Sequence, residues 1–368
     1  MQTMRAAVLH EAPGGLRIET VAMAEPLAGE VLVKNTACGV CHTDLHVMKA
    51  EVVFPTPCVL GHETSGVVAA LGPDVAGPPV GTPVVSAFIM PCGQCAPCAI
   101  GRDDLCERFF SMNRLNGTLY DGTTRLRRLD GQSLSMYSQA GLAEYSVVPA
   151  TDVFALPAGL PAPESAVFGC AVFTAYGAVR HAAALQPGER VAVVAAGGVG
   201  LNIIQMAKAF GAAQIIAIDV QEQKLEAARR LGATDLVDAR SSNAVERVKA
   251  LTDGRGVDVA FEALGRPETF AQAFDMIRDG GRMVPVGIAA GRTTAAVEIT
   301  RLVRRSLRIV GSFGARTRTD MPEILRLASI GLIRLESMVT TRYSLDEADM
   351  AYRALDAGTI VGRAIVTL

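Results

Sequence analysis

The sequence predicts an α/β protein of two domains, one rich in β-strands and one built on a doubly wound parallel sheet. Its 368 residues exceed what a single hydrophobic core usually holds. Short strand-like segments separated by Pro and Gly turns fill residues 1–90, whereas helical patterns alternate with apolar strands after Phe173. This change of pattern predicts two separate cores.

Charge and composition argue against several classes of partner. The net charge is −2 with both signs interspersed, so we expect neither nucleic acid nor a membrane surface as a partner. No apolar run approaches the roughly 20 residues that cross a bilayer, and we expect a cytoplasmic protein. Because cytosolic thiols stay reduced, the eight cysteines favour metal binding or catalysis over disulfides.

The β-rich region carries a candidate metal site in the segments CGVCHTDLH and GHE. They place a thiol at Cys41 and an imidazole at His62, with Thr43, Asp44 and His46 close to the thiol in sequence. We expect the first segment to open a short helix at a strand end and GHE to precede the strand ETSGVVAAL. The pattern indicates half of a catalytic zinc site, with the remaining ligand far downstream.

Four further cysteines have the spacing C-x2-C-x2-C-x7-C, at Cys92, Cys95, Cys98 and Cys106. Four thiolates close a tetrahedral shell around zinc and leave no position for substrate, which is typical of a structural site. The alternatives are an iron–sulfur cluster, whose motif continues with three residues and Cys-Pro, and four unrelated core thiols. The polar stretch 107–143 that follows predicts a long surface excursion.

A dinucleotide-binding βαβ unit is predicted within ERVAVVAAGGVGLNIIQMAKAFGAAQIIAID. An apolar strand, a turn at Gly197, Gly198 and Gly200, a helix and a second strand ending at Asp219 follow each other, although Ala195 occupies the first glycine position. Asp219 should hold the ribose hydroxyls and repel a 2′-phosphate, which favours NAD over NADP. The alternative, a glycine turn of another α/β fold, leaves Asp219 without a role.

The segments after Asp219 complete this predicted domain, and the last of them returns to the β-rich domain. Apolar strands and helices alternate to about residue 313 and give roughly six strands. The last segment, GRAIVTL, is an apolar strand that we expect to pair with the β-rich domain. The predicted domains are therefore 1–171 with 314–368, carrying the cysteine lobe near 92–106, and 172–313.

Together these motifs resemble the zinc-dependent medium-chain alcohol dehydrogenases, including animal-type and bacterial aryl-alcohol members, over essentially the whole chain. The matching segments are CGVCHTDLH, GHETSGVV, the CGQCAPC lobe, GCAVFTAYG and GRAIVTL. The resemblance implies a discontinuous GroES-like catalytic domain, a Rossmann NAD-binding domain, and a homodimer or homotetramer. It also implies that Cys170 is the third ligand of the catalytic zinc, beside Cys41 and His62.

The resemblance assigns further roles. Asp44 would orient His62, Glu63 would approach the metal during ligand exchange, and Thr43 and His46 would carry the alcohol proton to solvent. The implied cofactor contacts are His42, Thr174, Gly197, Gly198, Val199, Gly200, Asp219, Lys224, Val286 and Arg363. The implied substrate pocket is mostly apolar and consists of Val52, Phe88, Phe110, Met136 and Tyr137.

The expected function is reversible oxidation of primary aryl or medium-chain alcohols to aldehydes, with NAD and with one catalytic and one structural Zn²⁺ per subunit. One alternative is a glutathione-dependent formaldehyde dehydrogenase, which would need an arginine and an acid that Phe109, Phe110 and Val52 do not supply. The other is a non-catalytic relative that binds zinc and nucleotide.

Overall fold

The computed structural model describes residues 2–368 and divides into two compact units. The first contains the chain up to Phe173 together with Arg316–Ser329 and Val339–Leu368. The second contains Thr174–Ala315 and Ile330–Met338. In residues 2–368, no helix is both long enough and apolar enough to cross a membrane.

The elements follow each other along the chain. Before Phe173 they are β1 (Gln2–Leu9), β2 (Leu16–Met23), β3 (Glu30–Gly39), α1 (His42–Met48), β4 (Cys58–Val59), β5 (Thr64–Leu71), β6 (Pro83–Ser86), α2 (Ala96–Ala99), β7 (Leu126–Arg128), β8 (Ser133–Met136), β9 (Tyr145–Pro149) and β10 (Phe154–Ala155). A helix, α3 (Ala171–Gly177), follows. The second unit then contributes β11 (Arg190–Val194), α4 (Gly198–Ala209), β12 (Gln214–Asp219), α5 (Glu222–Leu231), β13 (Asp235–Asp238), α6 (Ala244–Leu251), β14 (Val257–Glu262), α7 (Pro267–Met276), β15 (Ile277–Pro285), α8 (Ile299–Arg304) and β16 (Arg308–Ile309). The tail forms α9 (Thr317–Ser329), β17 (Val339–Ser344), α10 (Ala348–Asp356) and β18 (Arg363–Thr367).

The first unit combines a closed barrel with a larger sheet. The barrel has the strand order β1-β2-β7-β8-β4, and the sheet has the order β10-β6-β5-β3-β18-β17 with β9 also paired to β3. Strand β18 runs antiparallel to β3, with Val366 opposite Cys38. This pairing confirms that the final apolar segment returns to the β-rich part of the chain.

The stretch 107–143 is not a surface excursion, so that expectation is wrong. It contains β7 and β8, which pair with each other and close the barrel. Leu119, Leu126 and Leu134 are buried. Strands of three or four residues hold too few apolar side chains to stand out in a polar stretch, although alternate residues reach the core.

The second unit is a six-stranded parallel sheet in the order β13-β12-β11-β14-β15-β16, which confirms the expected number of strands. Its strands are continuous apolar runs because helices cover both faces of such a sheet. The order reverses between β11 and β14, where the loops at the carboxyl ends of neighbouring strands run in opposite directions. A crevice for a ligand forms at such a point.

Candidate active site and metal centres

One candidate metal centre brings together Cys41, His62, Glu63 and Cys170, whose ligand atoms all lie within 4.8 Å of one another. Cys41 ends the extended chain after β3 and caps the N terminus of α1, so its thiol sits where strand passes into helix. His62 and Glu63 immediately precede β5, and Cys170 immediately precedes α3. All four residues are buried.

His62 is held for metal binding by hydrogen bonds on one side of its ring. Its Nδ1 lies 3.0 Å from Asp44 Oδ1, which also accepts the Gly61 backbone N–H at 3.1 Å. The other nitrogen, Nε2, is buried and has no hydrogen-bond partner within residues 2–368. A buried imidazole oriented by a carboxylate and lacking a partner on its free nitrogen fits a zinc ligand.

Tyr352 supports the Asp44 carboxylate that orients His62. Its hydroxyl donates to the second Asp44 oxygen at 2.9 Å, and both side chains are fully buried. Tyr352 lies on the buried face of α10 with Ala348, Ala351 and Leu355. The sequence analysis did not assign Tyr352; the available signal was a residue with a polar tip in the middle of an apolar helix face, which usually finds a partner.

The thiols of Cys41 and Cys170 can supply negative charge that a bound cation would neutralise. A hydrogen bond from the Cys170 thiol lowers the pKa of Cys41 well below its usual range, while the same bond raises the pKa of Cys170. Burial would lower the pKa of His62, but the negative charges of Asp44 and Cys41 raise it to about 10. The donor set of two sulfurs and one imidazole therefore suits Zn²⁺.

Glu63 and Arg363 form a buried ion pair beside these ligands. Arg363 begins β18, is 4% exposed and donates to Glu63 Oε1, while Glu63 Oε2 has no partner within residues 2–368. Burial raises the pKa of Glu63 to about 7, although Arg363 opposes the rise. The guanidinium of Arg363, an expected cofactor contact, is thus engaged by Glu63.

The expected relay residues lie on α1. Thr43 Oγ1 lies 3.6 Å from Cys41 Sγ, next to the ligand set. His46 follows one turn later, and residues three apart share a helix face. Its Nδ1 is hydrogen bonded to Glu51, whose backbone N–H donates to the His46 carbonyl at 2.8 Å. His42 is exposed at the start of the helix.

Aromatic rings surround His62. The rings of Phe88 and Tyr137 stand edge-on to the imidazole at centroid distances of 6.1 and 6.0 Å. Phe54, which the sequence analysis did not assign, packs edge-on against Tyr137 at 4.8 Å. An apolar, aromatic wall therefore lies beside the candidate metal ligands.

The other expected pocket residues have different surroundings. Met136 is buried, and its sulfur lies 3.5 Å from the Arg125 backbone nitrogen. Val52 is half-buried and donates its N–H to the His46 carbonyl. Phe110 packs edge-on against Phe109.

The second centre is the cysteine lobe, where the Sγ atoms of Cys92, Cys95, Cys98 and Cys106 lie within 4.8 Å of one another. The Cys95 and Cys106 sulfurs are 3.9 Å apart, close to the separation of about 3.8 Å that Zn–S bonds give in a tetrahedron. Backbone N–H groups of Cys92 and Phe109 point at Cys106 Sγ from 3.2 and 3.5 Å. The geometry fits a closed, structural zinc site.

The glycine turn of the second unit follows β11. Ala195 adopts φ +74°, a left-handed conformation that favours glycine. A Cβ at Gly200 would lie 1.9 Å from the Ala195 carbonyl oxygen, so α4 approaches the turn more closely than any side chain allows. A Cβ at Gly197 would meet no atom within 4 Å. Open space therefore faces the N terminus of α4, as a pyrophosphate site requires.

Asp219 ends β12 and organises the same turn. Its carboxylate accepts the backbone N–H of Ala196 at 2.8 Å and that of Gln221 at 2.9 Å. The other expected cofactor contacts occupy separate elements: Gly198 and Val199 in the first turn of α4, Lys224 in α5, Val286 just after β15 and Thr174 in α3.

The structure thus combines a candidate metal centre at Cys41, His62 and Cys170, a Cys₄ lobe and a doubly wound parallel sheet with a glycine turn. Two family descriptions match the chain: "Alcohol dehydrogenase GroES-like domain" over residues 27–158 and "Zinc-binding dehydrogenase" over residues 198–329.

Similar proteins cover the whole chain. An NDMA-dependent alcohol dehydrogenase of Amycolatopsis methanolica is 33% identical, covering 96% of each chain. An S-(hydroxymethyl)glutathione dehydrogenase of Saccharomyces cerevisiae is 32% identical over 96% of this chain and 93% of its own. The chain therefore belongs to the zinc-dependent medium-chain alcohol dehydrogenase family, and its two domains are the GroES-like and Rossmann-like domains of that family.

Solved structures agree with this assignment. The benzyl alcohol dehydrogenase of Acinetobacter calcoaceticus superposes with a TM-score of 0.93 at 30% identity, covering 100% of both chains. A zinc-binding dehydrogenase of Sinorhizobium meliloti bound to NADP gives 0.83 at 27% identity, also covering 100% of both.

Proposed function

We propose that this protein is an NAD-dependent zinc alcohol dehydrogenase that reversibly oxidises primary aryl or medium-chain alcohols to aldehydes. The observation that carries the proposal is the convergence of Cys41, His62 and Cys170, with His62 Nε2 buried and unpartnered. Three ligands leave one tetrahedral position open, which distinguishes a catalytic site from a structural one.

Cys41, His62 and Cys170 would hold Zn²⁺, which as a Lewis acid lowers the pKa of an alcohol bound to it. Asp44 keeps His62 in one orientation by accepting a hydrogen bond from the Nδ1–H of its ring. Thr43 offers a hydroxyl beside the ligands, and His46 lies one turn further along α1 with its ring partly exposed. Thr43 and His46 carry the alcohol proton towards solvent, and bound NAD would supply the hydride acceptor.

The rings of Phe54, Phe88 and Tyr137 support aryl substrates. Phe88 and Tyr137 lie beside His62, Phe54 packs against Tyr137, and such apolar walls bind by the area they bury. The similarity to a protein named benzyl alcohol dehydrogenase supports the same substrate class.

NAD is the proposed cofactor because of Asp219. A carboxylate at the end of the second strand accepts hydrogen bonds from ribose hydroxyls and repels a 2′-phosphate. A similar solved dehydrogenase binds NADP, so the preference of this protein between the two cofactors needs to be measured. Assays should therefore compare NAD with NADP at equal concentration.

The test replaces Cys170 by Ala and measures zinc content and NADH production from benzyl alcohol. We expect the variant to lose one zinc per chain and at least about a hundredfold in turnover, since even residues behind zinc ligands are worth tenfold to a hundredfold. Cys58→Ala is the matched control, because Cys58 is also buried but lies in β4, outside both ligand clusters. Full zinc content and turnover in Cys170→Ala would refute the proposal.

A further inference from the structure

Phe88 and Tyr137, the two rings beside His62, lie on separate segments of the chain that meet at one buried hydroxyl group. Ser138, which follows Tyr137 directly, is fully buried, and its Oγ donates to the Phe88 carbonyl at 2.8 Å. The bond joins positions that are 50 residues apart in the chain. Since each ring is carried by its own backbone, this hydroxyl group ties the positions of the two rings together.

The Phe88 backbone is also held through its N–H group. This group donates to the Gly169 carbonyl at 2.8 Å, one residue before the proposed ligand Cys170. A Cβ at Gly169 would lie 2.4 Å from the Ser86 carbonyl oxygen, so these two segments approach each other closely. Phe88 is therefore fixed between the segment that leads to Cys170 and the segment that carries Tyr137.

The neighbouring Gln139 extends this connection to the segment of His62. It is fully buried, donates from Nε2 to the Ala87 carbonyl at 2.6 Å, and accepts at Oε1 from Thr64 Oγ1 at 3.1 Å. Thr64 lies two residues after His62. Ser138 and Gln139 thus hold together the three segments that carry the imidazole and the two aromatic rings. The sequence analysis assigned a role to neither residue.

Ser138 adopts a backbone conformation that glycine adopts at lower cost. Its φ is +53°, in the left-handed region where a Cβ is disfavoured. Strained positions of this kind cluster at functional sites, where the surrounding structure maintains them. Ala140, two residues further on, has φ +54° but only a methyl side chain. The two positions therefore share a conformation and differ in the hydroxyl group.

Building on the alcohol dehydrogenase function proposed above, we infer that Ser138 is a positioning residue that fixes Phe88 relative to Tyr137 and thereby sets the width of aryl substrate that the pocket accepts. It acts through the Phe88 backbone and not on the substrate. An apolar wall binds by the area it buries and rejects rings that do not fit. A loosened wall therefore binds a small ring less tightly and discriminates less against a wider one.

The experiment measures KM and kcat for benzyl alcohol and for the wider 2-naphthylmethanol in Ser138→Ala and Ser138→Gly. Both variants lose the hydroxyl group, but only glycine relieves the left-handed backbone, so their free energies of unfolding should differ while their kinetics agree. We expect KM for benzyl alcohol to rise about threefold to tenfold with kcat changed by less than about twofold, as for one neutral hydrogen bond. The kcat/KM ratio of benzyl alcohol to the naphthyl compound should fall in both variants.

Ala140→Gly is the matched control, because it relieves the same backbone conformation and removes no hydrogen bond. It should leave KM and the ratio between the two alcohols unchanged. Unchanged KM in both Ser138 variants would overturn the inference. An equal change in Ala140→Gly, or a KM that follows the free energy of unfolding across the variants, would reduce Ser138 to a structural residue and overturn it too.

Calorimetric binding of both alcohols to the zinc-loaded protein separates this inference from the proposed function. Absence of turnover with every alcohol in the wild type would refute the function. Weaker binding of benzyl alcohol to both Ser138 variants, with unchanged binding to Ala140→Gly, would still support the positioning role. Equal binding to the wild type and all three variants would overturn that role.

Discussion

The two cysteine centres differ in where their surroundings come from. In the lobe, all four thiols and most of their N–H donors belong to the short segment from Cys92 to Phe109. The proposed open centre would draw its ligands from Cys41, His62 and Cys170, and distant elements hold these residues in place. The lobe is thus a local structure, whereas the open centre depends on the assembled first unit.

This difference identifies the residues that set metal affinity at each centre. Backbone donors stabilise the lobe thiolates, and only a substitution by proline removes a backbone donor. At the open centre the supporting groups are side chains, Asp44 and Tyr352, which substitutions do remove. Mutations behind the ligands should therefore weaken zinc at the open centre and leave the lobe loaded.

Among the residues behind the ligands, the largest effect is expected for Asp44→Asn. The amide keeps the size of the side chain but loses the negative charge that holds the proton on His62 Nδ1. Zinc affinity at the open centre should fall about tenfold to a hundredfold, with a matching loss of NADH production at limiting zinc. Competition with a chromogenic chelator measures the affinity.

Asp103→Asn is the control for that substitution. Asp103 is equally buried but accepts from the Arg318 side chain at 2.7 Å, next to the lobe. Its replacement should lower thermal stability without changing zinc affinity at the open centre. Unchanged affinity in Asp44→Asn would show that this carboxylate does not support the metal.

A smaller effect is expected for Tyr352→Phe. The variant leaves Asp44 Oδ2 buried without its donor, which should cost about 1–2 kcal/mol in the free energy of unfolding and weaken zinc threefold to tenfold. Tyr120→Phe is the counterpart at the lobe, where the hydroxyl donates to the Met90 carbonyl. If both variants change open-centre affinity equally, Tyr352 acts only through general stability.

Short sequence spacings predicted the local parts of this molecule well. The cysteine lobe, the helix after Cys41 and the glycine turn each lie within one segment, so periodicity and spacing indicate them directly. Sequence spacing did not predict the role of Cys170. No spacing ties it to Cys41 or His62, and only the family resemblance assigned it.

The parts that the sequence analysis missed depend on contacts between distant residues. Tyr352 meets Asp44 across 308 positions, and Arg363 meets Glu63 across 300. Arg114 lies over the Tyr137 ring, and the neighbouring Asn113 is hydrogen bonded to the Met136 carbonyl. In sequence each looks like an ordinary helix, strand-end or loop residue, since its role exists only once the chain has folded.

The distinction between an open and a closed centre is tested most directly by following zinc release from the wild type in excess chelator. NADH production from benzyl alcohol and circular dichroism should be recorded on the same samples. We predict that one zinc per chain leaves first, that activity disappears with it, and that secondary structure remains. Activity that persists after this zinc has left, or loss of both zincs in one phase with unfolding, would contradict the assignment.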